Sequence, residues 1–191
     1  MTSPIGGRRR LPMHGGPTFS LGHRLSRTLF AVAWLLLCRW TPAPLHRWRR
    51  RVLILFGARL APTARVYPST RIWYPANLTM AEHACLGPGV TCYAMDTIAL
   101  DAYALASQGA FLCAGTHDVD DPNFALVTKP ITIGAHAWIA AEAFVGPGVT
   151  VGAWAVLGAR AVAFSDLASG MVHVGNPARV LRPRRVREST P

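Results

Sequence analysis

Through the middle of the chain an aliphatic residue recurs at every sixth position, with a small residue four places after it. The pairs run Val66 with Thr70, Ile72 with Ala76, Met80 with Ala84 and Leu86 with Val90. After a slip between Cys92 and Ile98 they resume as Leu100 with Ala104, Ala106 with Ala110 and Leu112 with Thr116. Further on come Ile133 with Ala137, Ile139 with Ala143, Val145 with Val149, Val151 with Ala155 and Leu157 with Ala161. Such a period fits an extended segment and a corner, repeated: the aliphatic residues meet inside and the small ones let neighbouring walls approach. Three segments close a triangular coil of about 18 residues, and coils stack at the strand spacing of roughly 4.8 Å. A helix is excluded by Pro88, Pro147 and the many glycines, and a non-repeating sandwich by the strictness of the period. The expectation is a mainly β protein whose residues 61–178 form a parallel β-solenoid. Gly87, Gly134, Gly146, Gly152 and Gly158, each after an aliphatic residue, are expected at corners needing unusual backbone angles; Ala81, Asp101 and Ala140 depart from this pattern.

Ahead of the repeat the pattern is helical. Leu21 to Trp40 contains a run, Leu29 to Cys38, that is apolar on every side, and Pro42 and Pro44 end it. As a helix, ten residues cover about 15 Å, half of a bilayer core, so the run does not span a membrane by itself. The next helix sets Leu45, Trp48, Val52, Leu55 and Phe56 on one face beside Arg47, Arg49, Arg50 and Arg51. Residues 21–60 thus read as a helical hairpin with a basic amphipathic second arm. It either packs on the main domain or a neighbouring subunit, or lies on an anionic membrane surface with its arginines toward head groups; a mixture of the two is the favoured reading. Residues 1–20 lack periodicity and are expected to be a disordered basic terminus, and 179–191 a basic tail. The Arg8-Arg9-Arg10 run is not read as an export signal, since the next apolar run starts far downstream and no small-residue cleavage site follows it.

The repeat is suspended once, from Asp118 to Pro130, directly after His117. A regular scaffold that breaks its rule beside a titratable group is where chemistry is expected. Charge sharpens the picture: the net +11 belongs to the ends, because residues 1–81 hold no Asp or Glu, whereas acids outnumber bases between Glu82 and Asp166. The aromatics do not interleave with the arginines as a nucleic-acid platform requires, so no nucleic-acid partner is expected. Cys38, Cys85, Cys92 and Cys113 lack metal-ligand pairing and read as buried free thiols in a reducing compartment.

In these residues the chain resembles the hexapeptide-repeat acyltransferases, which fold as a left-handed parallel β-helix. With its N-terminal helices it resembles the subgroup named after the colanic acid biosynthesis acetyltransferases. The resemblance rests on Val66 to Arg182, on Gly115-Thr-His-Asp118 followed by Asp121-Pro-Asn-Phe124, and on Val174-Gly-Asn-Pro-Ala178. It implies a homotrimer with acetyl-CoA and acceptor sites between adjacent prisms, and an O-acetyltransferase acting on a sugar hydroxyl of an exopolysaccharide or another glycan intermediate. It makes His117 the general base; an imidazole titrating near 6.5 can take a hydroxyl proton at neutral pH, with no covalent enzyme intermediate. By the same carry-over Trp138 lines the pantetheine channel, the backbone at Ala141 and Ala159 bonds the pantetheine amides, and Arg179 and Arg182 meet the CoA phosphates. Relatives that acetylate sugars often carry an asparagine in the preceding coil, where this chain has Leu86-Gly-Pro-Gly-Val90. Tyr93 and Asp96 are the polar candidates to replace it, and Asp118, Asp120, Asp121 and Asn123 are candidates for sugar hydroxyls. The expected acceptor is a sugar or a lipid-linked glycan and the expected location cytoplasmic, with peripheral contact through residues 21–60 on the inner membrane face. No metal is expected. Two other classes stay open: a non-catalytic trimeric solenoid that assembles with glycan-biosynthesis proteins, and a γ-type carbonic-anhydrase-like metalloenzyme, for which His117 and His136 lack an obvious third partner. For His83, His136 and His173 packing is the favoured reading.

Overall fold

The computed structural model describes residues 19–186, so nearly all of the segment expected to be disordered, the Arg8-Arg9-Arg10 run and the last residues of the tail lie outside the described residues. The solenoid has three faces, each a parallel sheet. The first holds Arg59–Leu60, Leu78–Met80, Ile98–Leu100, Ile131–Ile133 and Thr150–Val151. The second holds Arg65–Val66, Cys85–Leu86, Leu105–Ala106, Trp138–Ile139, Val156–Leu157 and Met171–Val174, with Arg179–Pro183 added antiparallel. The third holds Arg71–Ile72, Thr91–Tyr93, Phe111–Cys113, Phe144–Val145 and Val162–Ala163. The aliphatic register stacks directly: Leu60, Met80, Leu100, Ile133 and Val151 align on the first face, and Val66, Leu86, Ala106, Ile139 and Leu157 on the second. These side chains fill the prism and are almost wholly buried, those larger than alanine each contributing roughly 1.5–3 kcal/mol when fully removed from water.

Several expectations need correction. The coil starts at Arg59, before the first pair read from the sequence, and the strand Arg179–Pro183 carries ordered sheet into the supposed tail. Ile72 is not followed by a corner at Ala76: the chain inserts a 3₁₀ turn at Pro75–Asn77, so the early coils repeat every 20 residues, as Leu60, Met80 and Leu100 show. Leu112 is likewise not paired with Thr116, which is exposed; Ala114 is the buried small residue, and the chain leaves the prism immediately after it.

A further correction concerns glycine. Left-handed backbone falls three places after the aliphatic residue, at His83, Gly89, Tyr103, Gly109, His136, Glu142, Gly148, Trp154 and Arg160, not at the glycines that directly follow it. Those glycines answer to space. A Cβ on Gly134 would lie 2.6 Å from the Ala153 nitrogen of the next coil, and one on Gly152 2.5 Å from Ser169 Oγ. Four of the left-handed positions carry rings that stack from coil to coil: His83 on Tyr103, Tyr103 on His136 and His136 on Trp154, at centroid distances of 4.7, 4.8 and 4.0 Å. Arg184 closes this ladder, lying over Trp154 and donating to the carbonyls of His136 and Trp154.

Helix α1 (Leu21–Leu37) starts at Ser20, whose side chain accepts from the His23 N–H, and helix α2 (His46–Leu55) follows the proline turn. The docked stripe of α2 is Arg49, Val52 and Leu53, while Leu45, Trp48 and Leu55 are exposed. The reason is Arg49. Fully buried, it donates through Nε to the Val66 carbonyl (2.7 Å) and through its terminal nitrogens to Thr41 Oγ1 and the carbonyls of Pro42 and Ala43. A guanidinium whose fork is filled by oxygens can occupy a core position that periodicity reserves for leucine. Arg49 is therefore not among the arginines available to a membrane.

Candidate active site

The site is built where the third face hands over to the first. After Cys113 the chain turns out at Ala114 and forms an antiparallel hairpin, Gly115–His117 against Leu126–Thr128, before rejoining the prism at Ile131. A Cβ on Gly115 would press on the side chain of Met95 in the coil below, which would have to shift to admit it. His117 pairs with Leu126 near the mouth of this hairpin and is exposed. Its Nδ1 lies 2.7 Å from the Phe124 carbonyl oxygen. A carbonyl can only accept, so Nδ1 carries the proton and Nε2 is left as a free lone pair. Phe124 presents that carbonyl from a left-handed conformation, φ 48°, fixed by its own N–H bonding to the Asp121 carbonyl.

The loop acids serve the loop first. Asp118 Oδ1 accepts from the Asp120 N–H at 3.1 Å and Asp121 Oδ1 from the Asn123 N–H at 2.8 Å. Each carboxylate therefore has one oxygen committed to shaping the turn around His117. Asp96 sits in the corner below the hairpin, next to Met95, with Oδ1 accepting from the Thr97 N–H. Tyr93 is on the outer side of the third face, its ring between Trp73 and Phe111 at 5.7 and 6.3 Å. The Asp96 corner is held by Asn77, whose amide donates to the carbonyls of Ala94 and Met95. Burial pushes the Cys113 thiol above its ordinary value, which disfavours a thiolate nucleophile beside His117.

The positions read as a CoA track lie elsewhere on the prism. Trp138 is on the coil after His117 but on the second face, half exposed, with Nε1 donating to Ser107 Oγ at 2.8 Å. Ala141 and Ala159 lie one coil apart at the next corner, where the Arg160 N–H bonds the Ala141 carbonyl and Arg160 pairs with Glu142. No acceptor among the described residues meets the N–H of either alanine. Arg179 and Arg182 are exposed on the final antiparallel strand, with their guanidinium groups on the carbonyls of Ala178 and Pro183. A single chain thus gathers His117, the loop acids and Asp96 around one hairpin, and sets Trp138, Ala141 and Ala159 along another part of the surface. Among the described residues no three His, Cys, Asp or Glu side chains group as a metal site would need; His136 is in the ring ladder, and His173 is buried in the core. Sequence reading missed the Phe124 carbonyl, Asn77 and Met95, since main-chain acceptors and supporting contacts leave no mark on a six-residue period.

A scan against protein-family models gives no match. Over 145 residues the chain is 41% identical to the "Putative colanic acid biosynthesis acetyltransferase WcaF" of Escherichia coli (strain K12), which covers 76% of this chain and 80% of that protein. It superposes on a galactoside acetyltransferase in complex with coenzyme A with a TM-score of 0.76 at 23% identity, covering 87% of this chain and 84% of that one. A hexapeptide-repeat containing acetyltransferase from Vibrio cholerae O1 biovar eltor, complexed with acetyl coenzyme A, gives 0.75 at 20% identity over 87% and 91%. Both structural likenesses speak for the fold, a left-handed parallel β-helix of about six turns.

Proposed function

The chain belongs to the hexapeptide-repeat acetyltransferases, in the group of the colanic acid biosynthesis enzymes, and from that membership we propose that it moves an acetyl group from acetyl-CoA to a sugar hydroxyl of an exopolysaccharide or related glycan intermediate. The observation that carries the reading is the His117 hydrogen bond to the Phe124 carbonyl. It fixes the tautomer in which Nε2 takes the acceptor hydroxyl's proton as the oxygen attacks the thioester carbonyl, and it stabilises the imidazolium that results. The new C–O bond replaces the C–S bond, and His117 returns its proton to the departing thiolate. Charge on the thioester oxygen needs donors already in place, and the unpaired N–H groups at Ala141 and Ala159 suit that role and the pantetheine amides. Trp138 forms a wall of the pantetheine channel, and Arg179 and Arg182 receive the CoA phosphates. Asp96, Tyr93, Asp118, Asp121 and Asn123 contact the acceptor.

Because His117 lies on the hairpin that leaves the prism and Trp138 on the second face of the prism itself, the reading includes a second prism beside the first, in a homotrimer with shared sites. The exposed apolar side of α1 provides a peripheral contact with the inner face of a membrane, where a lipid-linked acceptor is presented. Among the described residues no helix is long and apolar enough to cross a membrane.

The test is His117→Ala, assayed with acetyl-CoA and glycan fragments by release of free CoA. Turnover should fall about 10²- to 10⁴-fold while CoA binding and assembly are unchanged; unaltered turnover would remove His117 as the base.

A further inference from the structure

Between α1 and the third face of the prism lies a groove of about 720 Å³. Its floor is apolar, from Phe30, Ala31, Trp34 and Trp73, and its rim carries Arg24, Arg27, Arg39 and Arg71. No acid lines it, and residues 1–81 contain none that could neutralise it locally. The Arg27 guanidinium lies 3.9 Å above the Trp73 ring, yet its Nε is buried without a hydrogen-bond partner among the described residues. The same holds for Nε1 of Trp34, a residue only 8% exposed. Unpartnered buried donors beside a concentration of positive charge are costly unless an acceptor-rich anion completes them.

The outer side of α1 supplies the rest. His23, Arg27, Phe30, Trp34 and Cys38 face the prism, whereas Leu21, Leu25, Leu29, Val32 and Leu36 form a second stripe, spaced four, four, three and four residues apart, that faces solvent. Leu25 is 61% exposed and Leu36 68%. A helix with one apolar side docked and the other bare, beside an arginine-rimmed groove, has the layout of a surface that rests in the acyl layer with phosphates drawn in beneath it. The N-terminal segment outside the described residues is a poor occupant, since it too carries arginines and no acid.

We propose that the groove between α1 and the third face is a binding site for the phosphate head of a membrane lipid, with its chain along the outer stripe of α1. The proposal deepens the membrane contact suggested above and rests on it. The groove also points toward the chemistry, since Tyr93 lines it and is paired in register with Cys113, at the root of the His117 hairpin. A lipid phosphate held there belongs either to a bulk anionic phospholipid or to the carrier of a lipid-linked acceptor.

The full chain is tested by co-sedimentation with three kinds of vesicle: phosphatidylcholine alone, phosphatidylcholine with phosphatidylglycerol, and phosphatidylcholine with a polyprenyl phosphate. Binding to the second or third, above the first, is expected and identifies the source. Arg24→Gln with Arg71→Gln, both at exposed positions, should weaken that binding about twenty-fivefold, at about fivefold per arginine, and Arg47→Gln with Arg51→Gln on α2 should weaken it less. Leu25→Ser with Leu29→Ser should abolish vesicle binding with the arginines intact. Equal binding to all three vesicles, or equal loss from the two arginine pairs, would overturn the site. A change in oligomeric state in the Arg24 and Arg71 variant, without loss of lipid binding, would instead assign the groove to a second copy and equally overturn it. Release of CoA with a water-soluble glycan acceptor is measured in parallel; groove variants should retain it, so a failed lipid site leaves the acetyl-transfer reading standing, and the reverse.

Discussion

At His117 a main-chain oxygen decides which ring nitrogen is left free to accept a proton. The Phe124 carbonyl holds Nδ1–H, so the ring of Phe124 is dispensable and its backbone is not. Phe124→Gly, which suits φ 48° better than phenylalanine does, should leave turnover close to that of the parent, whereas Phe124→Pro, whose ring fixes φ near −65°, should cut turnover by misplacing the carbonyl; kcat of the two variants is the measurement. The thiols give a second residue-scale prediction. Burial raises Cys92 from an ordinary 9.0 to about 12, so the folded state favours the neutral thiol. Its stabilising contribution is fully present below about pH 9 and is lost as pH rises from there toward 12. Unfolding midpoints measured between pH 8 and pH 11 should therefore decline, and an alkylating reagent at pH 8 should modify half-buried Cys113 well before Cys92.

Among the elements, the coil corners separate two uses of glycine that look alike in sequence. Gly152→Ala drives a methyl into Ser169 of the next coil and should cost about 1–3 kcal/mol, as overpacking does. Gly89→Ala meets nothing closer than 3.8 Å and should cost about 1 kcal/mol, for its left-handed φ alone; chemical denaturation of both variants checks the order. The periodicity made the prism legible because inward aliphatic residues obey one spacing wherever the coil is regular. It misled at Ala76 and Thr116, where an apolar or small residue happened to fall in phase while the backbone had already left the wall. Arg49 shows the same limit on α2, since hydropathy scores an arginine as surface although four oxygens await its fork. Arg49→Met should leave Thr41 Oγ1 and the Pro42 and Ala43 carbonyls without their donor and loosen the helical hairpin by about 3 kcal/mol, seen as faster proteolysis between residues 38 and 46. Arg49→Lys should restore only part of this, having no fork.

For the molecule as a whole, the site was legible in halves. His117 stood out because the repeat stops there, but that Trp138 lies on the second face, apart from the His117 hairpin, depends on how many residues each corner consumes, which spacing alone does not reveal. If neighbouring prisms complete each other, mixing inactive His117→Ala and Trp138→Ala proteins under subunit exchange should restore activity in about a quarter of sites, as expected for a heterologous interface in a ring. No recovery, with exchange verified by mass, would place both residues' roles within one chain. The Arg49 contact bears on a different property of the whole. Arg49 and His46 both reach the Val66 carbonyl, and α2 packs on Arg59–Leu60 and Arg65–Val66, the outermost strands of two faces. A stack of parallel coils ends in unpaired peptide groups that match the opposite end of another stack. The helical hairpin is therefore also a stopper against end-to-end growth, and a chain begun at residue 59 should elongate into filaments that bind amyloid dyes.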